Sequence, residues 1–498
     1  MAERSFAHEV QKLRAGEGST FSGEGILAVT KALLQSGVAY VGGYQGAPIS
    51  HLMDVLGDAH EILEELGVYF ENSASEATAA AMLAASVNYP LRGAITFKST
   101  VGTNVASDAL ANLASGGVRG GALIIVGEDY GEGSSIMQER SHAFAMKSQM
   151  WLLDPRPNVA AIVDAVEAGF ALSEASNTPV MLQLRLRSCH LYGSFTAKDN
   201  KRPPMTVKDA VENPSRRLDR IVLPPSSFLH EKEKIEDRWP AAVDFIRSRG
   251  LNEVLGAGTA DVGIIVQGGV YNTLNRAMEL LGCSDAYGNT KVPAYVMNVT
   301  YPLVESEILD FCADKRAVLL VEEGQPDYIE QNLNAILRRA GSPGALHGKD
   351  LLPVAGEYTA AVRDAGRADR RTASSPGAVH RVPRAADLLR AQARGAGDRQ
   401  EAPRERRHRL PPVRDQRAVQ PGRDHDGLRP RLGRGGGAEL QGRRSPYRRG
   451  DGRWRILAQR PHQWRRQRGV QPERPAAARG RQRLQRGDRR PGRPVLEG

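Results

Sequence analysis

Short continuous apolar runs alternate along the first 345 residues with stretches whose apolar side chains recur three and four positions apart. The first pattern is that of strands buried on both faces, the second that of helices packed on them. It predicts a helix over Ile26–Gln35, a strand over Val38–Val41, a helix over Ile49–Leu66 and a strand over Val68–Glu71. An Ala-rich helix over Glu76–Val87, strands over Ala94–Phe97 and Leu123–Val126, a helix over Val159–Ala175 and a strand over Val180–Leu184 follow. This rhythm implies a mostly parallel sheet covered on both faces, within a domain spanning residues 1–200. It breaks at Lys201-Arg202-Pro203-Pro204, at Leu223-Pro224-Pro225-Ser226 and in the charged stretch His230–Arg238, so residues 201–257 read as a connecting segment with some helix. Alternation resumes with a strand over Val262–Gln267, a helix over Asn272–Leu281, a strand over Ala294–Asn298, a helix over Leu303–Cys312, a strand over Ala317–Val321 and a helix over Tyr328–Ala340. That is a second, smaller α/β domain, residues 258–345, and no internal repeat is evident.

From about residue 365 the pattern stops. Residues 365–498 hold 36 Arg and 13 Asp plus Glu, net +23, with no Lys, Asn, Met, Phe or Cys; the whole chain carries +11, which leaves −12 on residues 1–364. So little apolar surface cannot offset the entropy of ordering, and the tail is expected to be disordered. One reading is a solvated basic tail that binds nucleic acid or other acidic surfaces, though without the aromatic platforms of single-strand readers. The other is a change of reading frame in a GC-rich gene, beginning somewhere in 355–380. Back-translated and read from the second base of each codon, the region of His380–Asp387 yields C-T-G-C-P-E-R-P. In the same frame Arg404–Gln416 yields E-S-G-D-I-G-C-H-P-F-A-T-N, and Arg449–Trp464 yields V-M-G-D-G-G-F-W-H-N-G-L-T-S-G. Arg481–Glu497 yields D-N-D-Y-S-A-A-T-G-G-Q-D-V-L-S. Back-translation leaves many third positions free, so one such match means little. Four in one frame and in chain order favour the frame change.

The rest of the composition narrows the class. Cys189, Cys283 and Cys312 are far apart and form no CxxC pair, so they read as small buried hydrophobes in a reducing compartment, with no metal or iron–sulfur site in this chain. The N-terminal stretch lacks an apolar h-region and no run is long enough to cross a bilayer, so a soluble cytoplasmic protein without a membrane partner is expected.

Four segments could carry chemistry. Gly42-Gly43-Tyr44-Gln45-Gly46-Ala47-Pro48-Ile49-Ser50 follows a predicted strand, where α/β folds bind ligands, and its glycines allow close backbone approach; alone it is equally an ordinary turn. Glu76 opens an otherwise apolar helix just after a strand, as a functional carboxylate or as one that only meets the helix dipole. Thr96–Asp108 (TFKSTVGTNVASD) reads as a strand running into a small polar loop rich in donors, suited to an anion or cofactor, with Asn and Ser caps as the plain alternative. The glycine loop Gly127–Ser135 lacks a Walker lysine, which argues against a nucleotide.

Taken together, GYQGAPIS, SEATAAA, KSTVGTNVASD, the loop after LIIVG, TPVMLQLRLRS, VGIIVQGGVYN, VTYPLVES and VLLVEEGQPDYIEQ resemble the large, thiamine-diphosphate-binding alpha subunit of the indolepyruvate ferredoxin oxidoreductase family, over nearly all of residues 20–345. The shifted frame adds CTGCPERP, DIGCH, GDGGFWHNGLTSG and DNDYSAATGGQD, of which the G-D-G…N pattern resembles the magnesium–diphosphate motif of thiamine enzymes. The resemblance implies an α/β fold of two thiamine-enzyme-type parallel-sheet domains, the first pyrimidine-binding (1–200) and the second transketolase-C-like (258–345), followed by the disordered remnant (365–498) of the diphosphate-binding domain. It makes Glu76 the catalytic carboxylate that meets the aminopyrimidine ring, and Gly46, Ala47, Pro48, Lys98, Gly102 and Asn104 the cofactor-binding residues. It implies thiamine diphosphate with magnesium and a 2-oxoacid substrate such as an arylpyruvate. Coenzyme A takes the acyl group, and ferredoxin takes electrons through a cluster outside this chain. A smaller gamma- or beta-type partner and a homo-oligomer are further implications.

Two departures matter. Related enzymes have Thr where this chain has Ala47, which leaves the 2-oxoacid open. As written, Gly450-Asp451-Gly452 is followed by no Asn, the last being Asn334, so the chain as translated is expected to be inactive alone. A non-oxidative thiamine-dependent decarboxylase and a non-enzymatic nucleic-acid-binding protein stand as alternatives.

Overall fold

A computed structural model describes residues 5–130, 140–256 and 260–360. The region 365–498, for which the sequence predicts disorder, lies outside the described residues. Among the described residues fourteen strands occur in the order β1 (Thr20–Glu24), β2 (Tyr40–Gly43), β3 (Tyr69–Asn72), β4 (Gly93–Lys98), β5 (Ala122–Glu128), β6 (Trp151–Leu153), β7 (Val180–Arg185), β8 (Tyr192–Thr196), β9 (Glu253–Leu255), β10 (Val262–Gln267), β11 (Ala294–Met297), β12 (Val299–Tyr301), β13 (Ala317–Val321) and β14 (Ala345–His347). They form a seven-stranded sheet, β12-β6-β7-β5-β4-β2-β3, a five-stranded sheet, β14-β13-β10-β11-β9, and the isolated pair β1-β8.

In the seven-stranded sheet every pairing is parallel except that of β12 with β6. Successive residues of β5 therefore serve opposite faces: Leu123 and Ile125 join one apolar cluster, Ala122, Ile124 and Val126 the other. The first cluster takes up the helices Gly25–Gln35 and Val159–Ser176, the second the helices Glu76–Met82 and Ser107–Gly116. The five-stranded sheet is built the same way, with Ile264 and Val266 on one face and Ile265 on the other, and β9 as its antiparallel edge. The two sheets are not independent, because β12 of the later segment completes the edge of the first sheet at Leu152 and Leu153.

The periodicity located most central elements to within a residue or two. Differences arise where local chemistry interrupts a pattern. The expected helix Ile49–Leu66 is two helices, Ser50–Asp58 and His60–Leu66, and the expected helix Glu76–Val87 ends at Met82 before a short turn of helix at Ala85–Asn88. The donor-rich segment after Lys98, expected as a loop, forms the helices Ser99–Val105 and Ser107–Gly116. Its Ser and Thr hydroxyls are absorbed by the turns; the Thr103 hydroxyl, for one, donates to the Ser99 carbonyl at 2.6 Å. Residues 201–257 carry helices Val207–Glu212, Ser226–Glu233 and Trp239–Arg249, the last packing Trp239 edge-on against Trp151. Packing also continues past 345, as Tyr358 is buried in the second sheet's core. All three cysteines are buried thiols outside any disulfide. Among the described residues no helix is long and apolar enough to cross a membrane.

Gly43 shows how tightly the first sheet is packed at its carboxyl end. A Cβ there would lie 2.3 Å from the Thr96 carbonyl oxygen and 2.8 Å from the Met53 sulfur. Gly43→Ala should therefore destabilise the fold by about 1–3 kcal/mol, as overpacked sites do. Urea unfolding of the two proteins checks this, with an unchanged midpoint as the contrary result.

Candidate functional site

Parallel strands all present the same end, and the order of this sheet brings three loops together at that end. Gly43 of β2 is level with Asn72 of β3 on one side and Thr96 of β4 on the other. The loops that follow, 44–50, 73–75 and 98–99, therefore rise side by side from the carboxyl edge, the place where open α/β sheets bind ligands. The first loop lies flat against β4: the Tyr44 N–H donates to the Thr96 carbonyl at 3.0 Å, and Gly46 sits so close that a Cβ would be 2.7 Å from the Lys98 Cβ. Ala47 and Pro48 follow, joined by a cis peptide bond.

Glu76 is the first residue of the helix Glu76–Met82 and is buried. Ser75 caps that helix in a reciprocal box with Thr78, which satisfies the Ser75 and Thr78 N–H groups without the glutamate. The residue is 5% exposed, no hydrogen bond from the described residues reaches its carboxylate, and neither carboxylate oxygen is among the fully buried atoms without a partner, so the carboxylate keeps contact with solvent.

Lys98 ends β4 beside the first loop, its Nζ 3.3 Å from Asp129 Oδ2, with both side chains largely covered. Gly46, Ala47, Pro48 and Lys98 are thus brought together on one edge, with Glu76 opening the neighbouring strand's helix. Gly102 and Asn104 are not part of that group. Gly102 is a packing residue, since a Cβ there would strike the Phe97 ring at 2.2 Å. Asn104, a further half turn on, lines a separate cavity of about 350 Å³ with Arg140, Lys147, Phe144 and Tyr328.

The sequence reading missed a second set of charged residues, immediately beside these. Arg185, the last residue of β7, donates from Nη2 to Asp154 at 2.7 Å and from Nη1 to Glu323, a residue just past β13 of the other sheet. Arg140 donates to Glu322 Oε1 at 2.5 Å, and Glu322 also accepts the N–H groups of Ile329 and Glu330. Glu128, fully buried at the end of β5, accepts from Tyr130 Oη at 2.9 Å and Ser141 N at 2.8 Å, while its other oxygen has no partner. Burial pushes the Glu128 carboxyl up to about 7, against the opposing pull of Ser141 N–H, Arg185 and Arg140. His142, stacked on Tyr328, is held neutral by burial and by Arg140, its pKa lowered to about 3. The one available signal was Glu322-Glu323 ending a wholly apolar strand, a place where charges persist only when paired.

Comparison with known proteins follows this geometry. No family model matches the chain. It is similar to the indolepyruvate oxidoreductase subunit IorA of Methanothermobacter marburgensis, 29% identical over 351 residues, covering 70% of this chain and 54% of the relative. It is also similar to subunit IorA of Pyrococcus abyssi, 27% identical over 339 residues, 67% of this chain and 49% of the relative. The chain therefore spans about half the length of the curated relatives it matches. Among solved structures, a 2-oxoglutarate:ferredoxin oxidoreductase from Magnetococcus marinus superposes with a TM-score of 0.54 at 16% identity, over 68% of this chain and 63% of that one. That likeness shows a shared fold.

Glu128 gives this region a pH signature. Its carboxyl titrates higher folded than unfolded, so its protonated form favours the fold, and that contribution is complete below pH 4.5 and lost as pH rises through about 7. His142 acts in the opposite direction, losing stability as pH falls below its unfolded value. Glu128→Gln should therefore flatten the decline in stability between pH 5 and pH 8 by on the order of 1–3 kcal/mol. Urea midpoints of both proteins at the two pH values test this; parallel profiles would contradict it.

Proposed function

We propose, on the premise that this chain is a relative of the IorA subunits of indolepyruvate oxidoreductases, that its described part is the pyrimidine-side half of a thiamine-diphosphate site. The activity proposed is oxidative decarboxylation of an arylpyruvate-like 2-oxoacid to an acyl-coenzyme A, with electrons passed to ferredoxin through a cluster on another part of the assembly. The observation that carries the reading is Glu76: a residue only 5% exposed, whose carboxylate accepts no hydrogen bond from the described residues, at the head of the helix that follows β3 on the carboxyl edge.

These residues fit one end of the cofactor. Glu76 would accept a hydrogen bond from a ring nitrogen, while the backbone of Gly46, Ala47 and Pro48 would border the ring. When bound, thiamine diphosphate supplies a carbon nucleophile and an electron sink for loss of carbon dioxide. The protein's part is to hold a proton at that ring nitrogen through Glu76 and to keep water from it. The diphosphate and magnesium end finds no counterpart in this reading frame, since no Asn follows Gly450-Asp451-Gly452.

The frame change is part of the proposal, and the folded part narrows where it occurs. Tyr358 N–H donates to Glu323 Oε1 at 2.6 Å, its hydroxyl donates to the Pro353 carbonyl at 2.9 Å, and Lys349 Nζ donates to that hydroxyl at 2.8 Å. Such a set of contacts supports reading residues up to Tyr358 in the native frame. The first recovered motif begins within codon 379, so we place the shift between residues 359 and 379 rather than across the whole of 355–380. The chain as written then carries half a site, together with a basic segment capable of adventitious binding to nucleic acid.

Two outcomes follow. Restoring the alternate frame should restore tight binding of thiamine diphosphate with magnesium, and calorimetric titration of both proteins tests this; equal tight binding by the 498-residue chain would sink the idea. In the restored protein, Glu76→Gln should lower 2-oxoacid decarboxylation by roughly 10²–10⁴-fold with an unchanged thermal midpoint. Dye reduction with phenylpyruvate plus a thermal melt reads both quantities. A loss below about tenfold, short of that catalytic range, returns Glu76 to its dipole role.

A further inference from the structure

We propose that the helix beginning at Ser226 is a docking surface for a second copy of this chain, paired antiparallel about a two-fold axis that passes between Glu231 and Lys232. The surface lies away from the Glu76 edge and does not rest on the thiamine reading. The helices Ser107–Gly116 and Ser141–Ser148 end just before β5 and β6 begin, at the amino edge of the seven-stranded sheet. Arg238 donates to the Ala114, Ser115 and Gly116 carbonyls at 3.1, 3.3 and 3.2 Å, and Lys234 Nζ donates to the Ser148 carbonyl at 3.3 Å. The charged side of the later helix thus caps both C-termini, where cations are favoured.

Those caps fix the rotation of the helix and turn its apolar side outward. Ser226–Glu233, Lys234–Arg238 and Trp239–Arg249 run on without a break, the middle piece being a π turn. Its inward residues, His230, Arg238, Ala242 and Ile246, are buried and lie at multiples of four. A spacing of four drifts by about 40° per step in an α-helix, and the wider π turn takes up that drift. Glu233 accepts from Arg220 and Arg238, and His230 Nε2 donates to the Asp219 carbonyl at 2.7 Å, which seats the turn Leu218–Arg220 beside the helix. What remains outside is apolar: Phe228, Leu229 and Ile235 on the helix, with Leu218 and Leu223 leading into it, are each 56–70% exposed. Side chains of this size leave on the order of 500 Å² of apolar surface bare, more than half of what one partner of a standard interface buries.

The order of residues along this face selects the occupant. Phe228, Glu231, Lys232 and Ile235 stand at i, i+3, i+4 and i+7 and so share one stripe. Set antiparallel on its own copy, Phe228 meets Ile235 and Glu231 meets Lys232, each pair twice, while Glu236 falls opposite Ser227. Apolar side chains thus meet apolar ones, and no like charges face each other. An axis centred on Glu231 or on Lys232 would instead set like charges together, which fixes the register.

The test is sedimentation velocity of the nuclease-treated 498-residue chain in about 0.3 M salt, which screens long-range contacts of the Arg-rich region. The wild type should sediment as a dimer at micromolar concentration. Phe228→Ser and Ile235→Ser should each raise the dimer dissociation constant at least about tenfold, with an unchanged thermal midpoint because both side chains are exposed. Glu231→Lys and Lys232→Glu should each weaken the dimer at least about threefold, and the double reversal should recover it. A wild type still monomeric at about 100 μM, where a standard interface would be occupied, overturns the proposal. So does a dimer indifferent to all four single variants, a double reversal no tighter than the single ones, or a monomer that takes up only a different protein on this face.

Discussion

Arg185 joins the two sheets, and the placement of the candidate site depends on it. Its guanidinium leaves the last position of β7, takes Asp154 from its own sheet and Glu323 from the other, and lies over the Tyr130 ring. With Arg140 and Glu322 beside it, the carboxyl edges of both sheets share one buried ionic seam. Such pairs add little net stability compared with apolar packing, but removing one partner leaves an uncompensated buried charge and typically costs about 3–5 kcal/mol. The seam therefore acts as a constraint on geometry: the sheets cannot slide without stranding a charge. Glu128, Asp129 and Lys98 continue it along the edge, so the loops around Glu76 inherit a fixed frame.

Legibility in the sequence followed the range of the interaction. Strands such as Val262–Gln267 and Ala317–Val321 were predicted to the residue, because burial on both faces leaves an unbroken apolar run. The loop GYQGAPIS and Glu76 were legible because both sit next to strands in the chain, where a carboxyl edge can be inferred from order alone. The segment after Lys98 misled because Ser, Thr, Gly and Asn favour turns as monomers, whereas here tertiary packing of Gly102 on Phe97 overrides that preference. The β1-β8 pair and β12 were missed for a related reason. Their partners lie 130 residues and more away, and short strands at an edge carry no pattern of their own.

The ionic seam was the least legible part. Asp154, Arg185 and Glu323 belong to distant segments, and each alone reads as an ordinary polar residue at a strand end. Only the facing of two carboxyl edges turns them into a network, and that facing is a property of the second sheet's docking. The pair Lys98–Asp129 is intermediate: it bridges neighbouring strands β4 and β5, so the topology, once known, brings the two together.

On the proposed reading, a cofactor with a ring at one end and a diphosphate at the other needs two surfaces, and the described residues would supply the ring side. Among the described residues the four apolar clusters draw on side chains from Phe6 to Tyr358, so the two sheets, the seam and the Glu76 edge share one set of packed residues. On the proposed reading, a change of frame after residue 358 would spare those packed residues and the Arg140–Glu322 and Arg185–Asp154–Glu323 pairs, while altering the groups proposed to meet the diphosphate and metal. The proposed pyrimidine-side half would then keep its own footing, because the edge carrying Gly46, Lys98 and Glu76 belongs to the seven-stranded sheet.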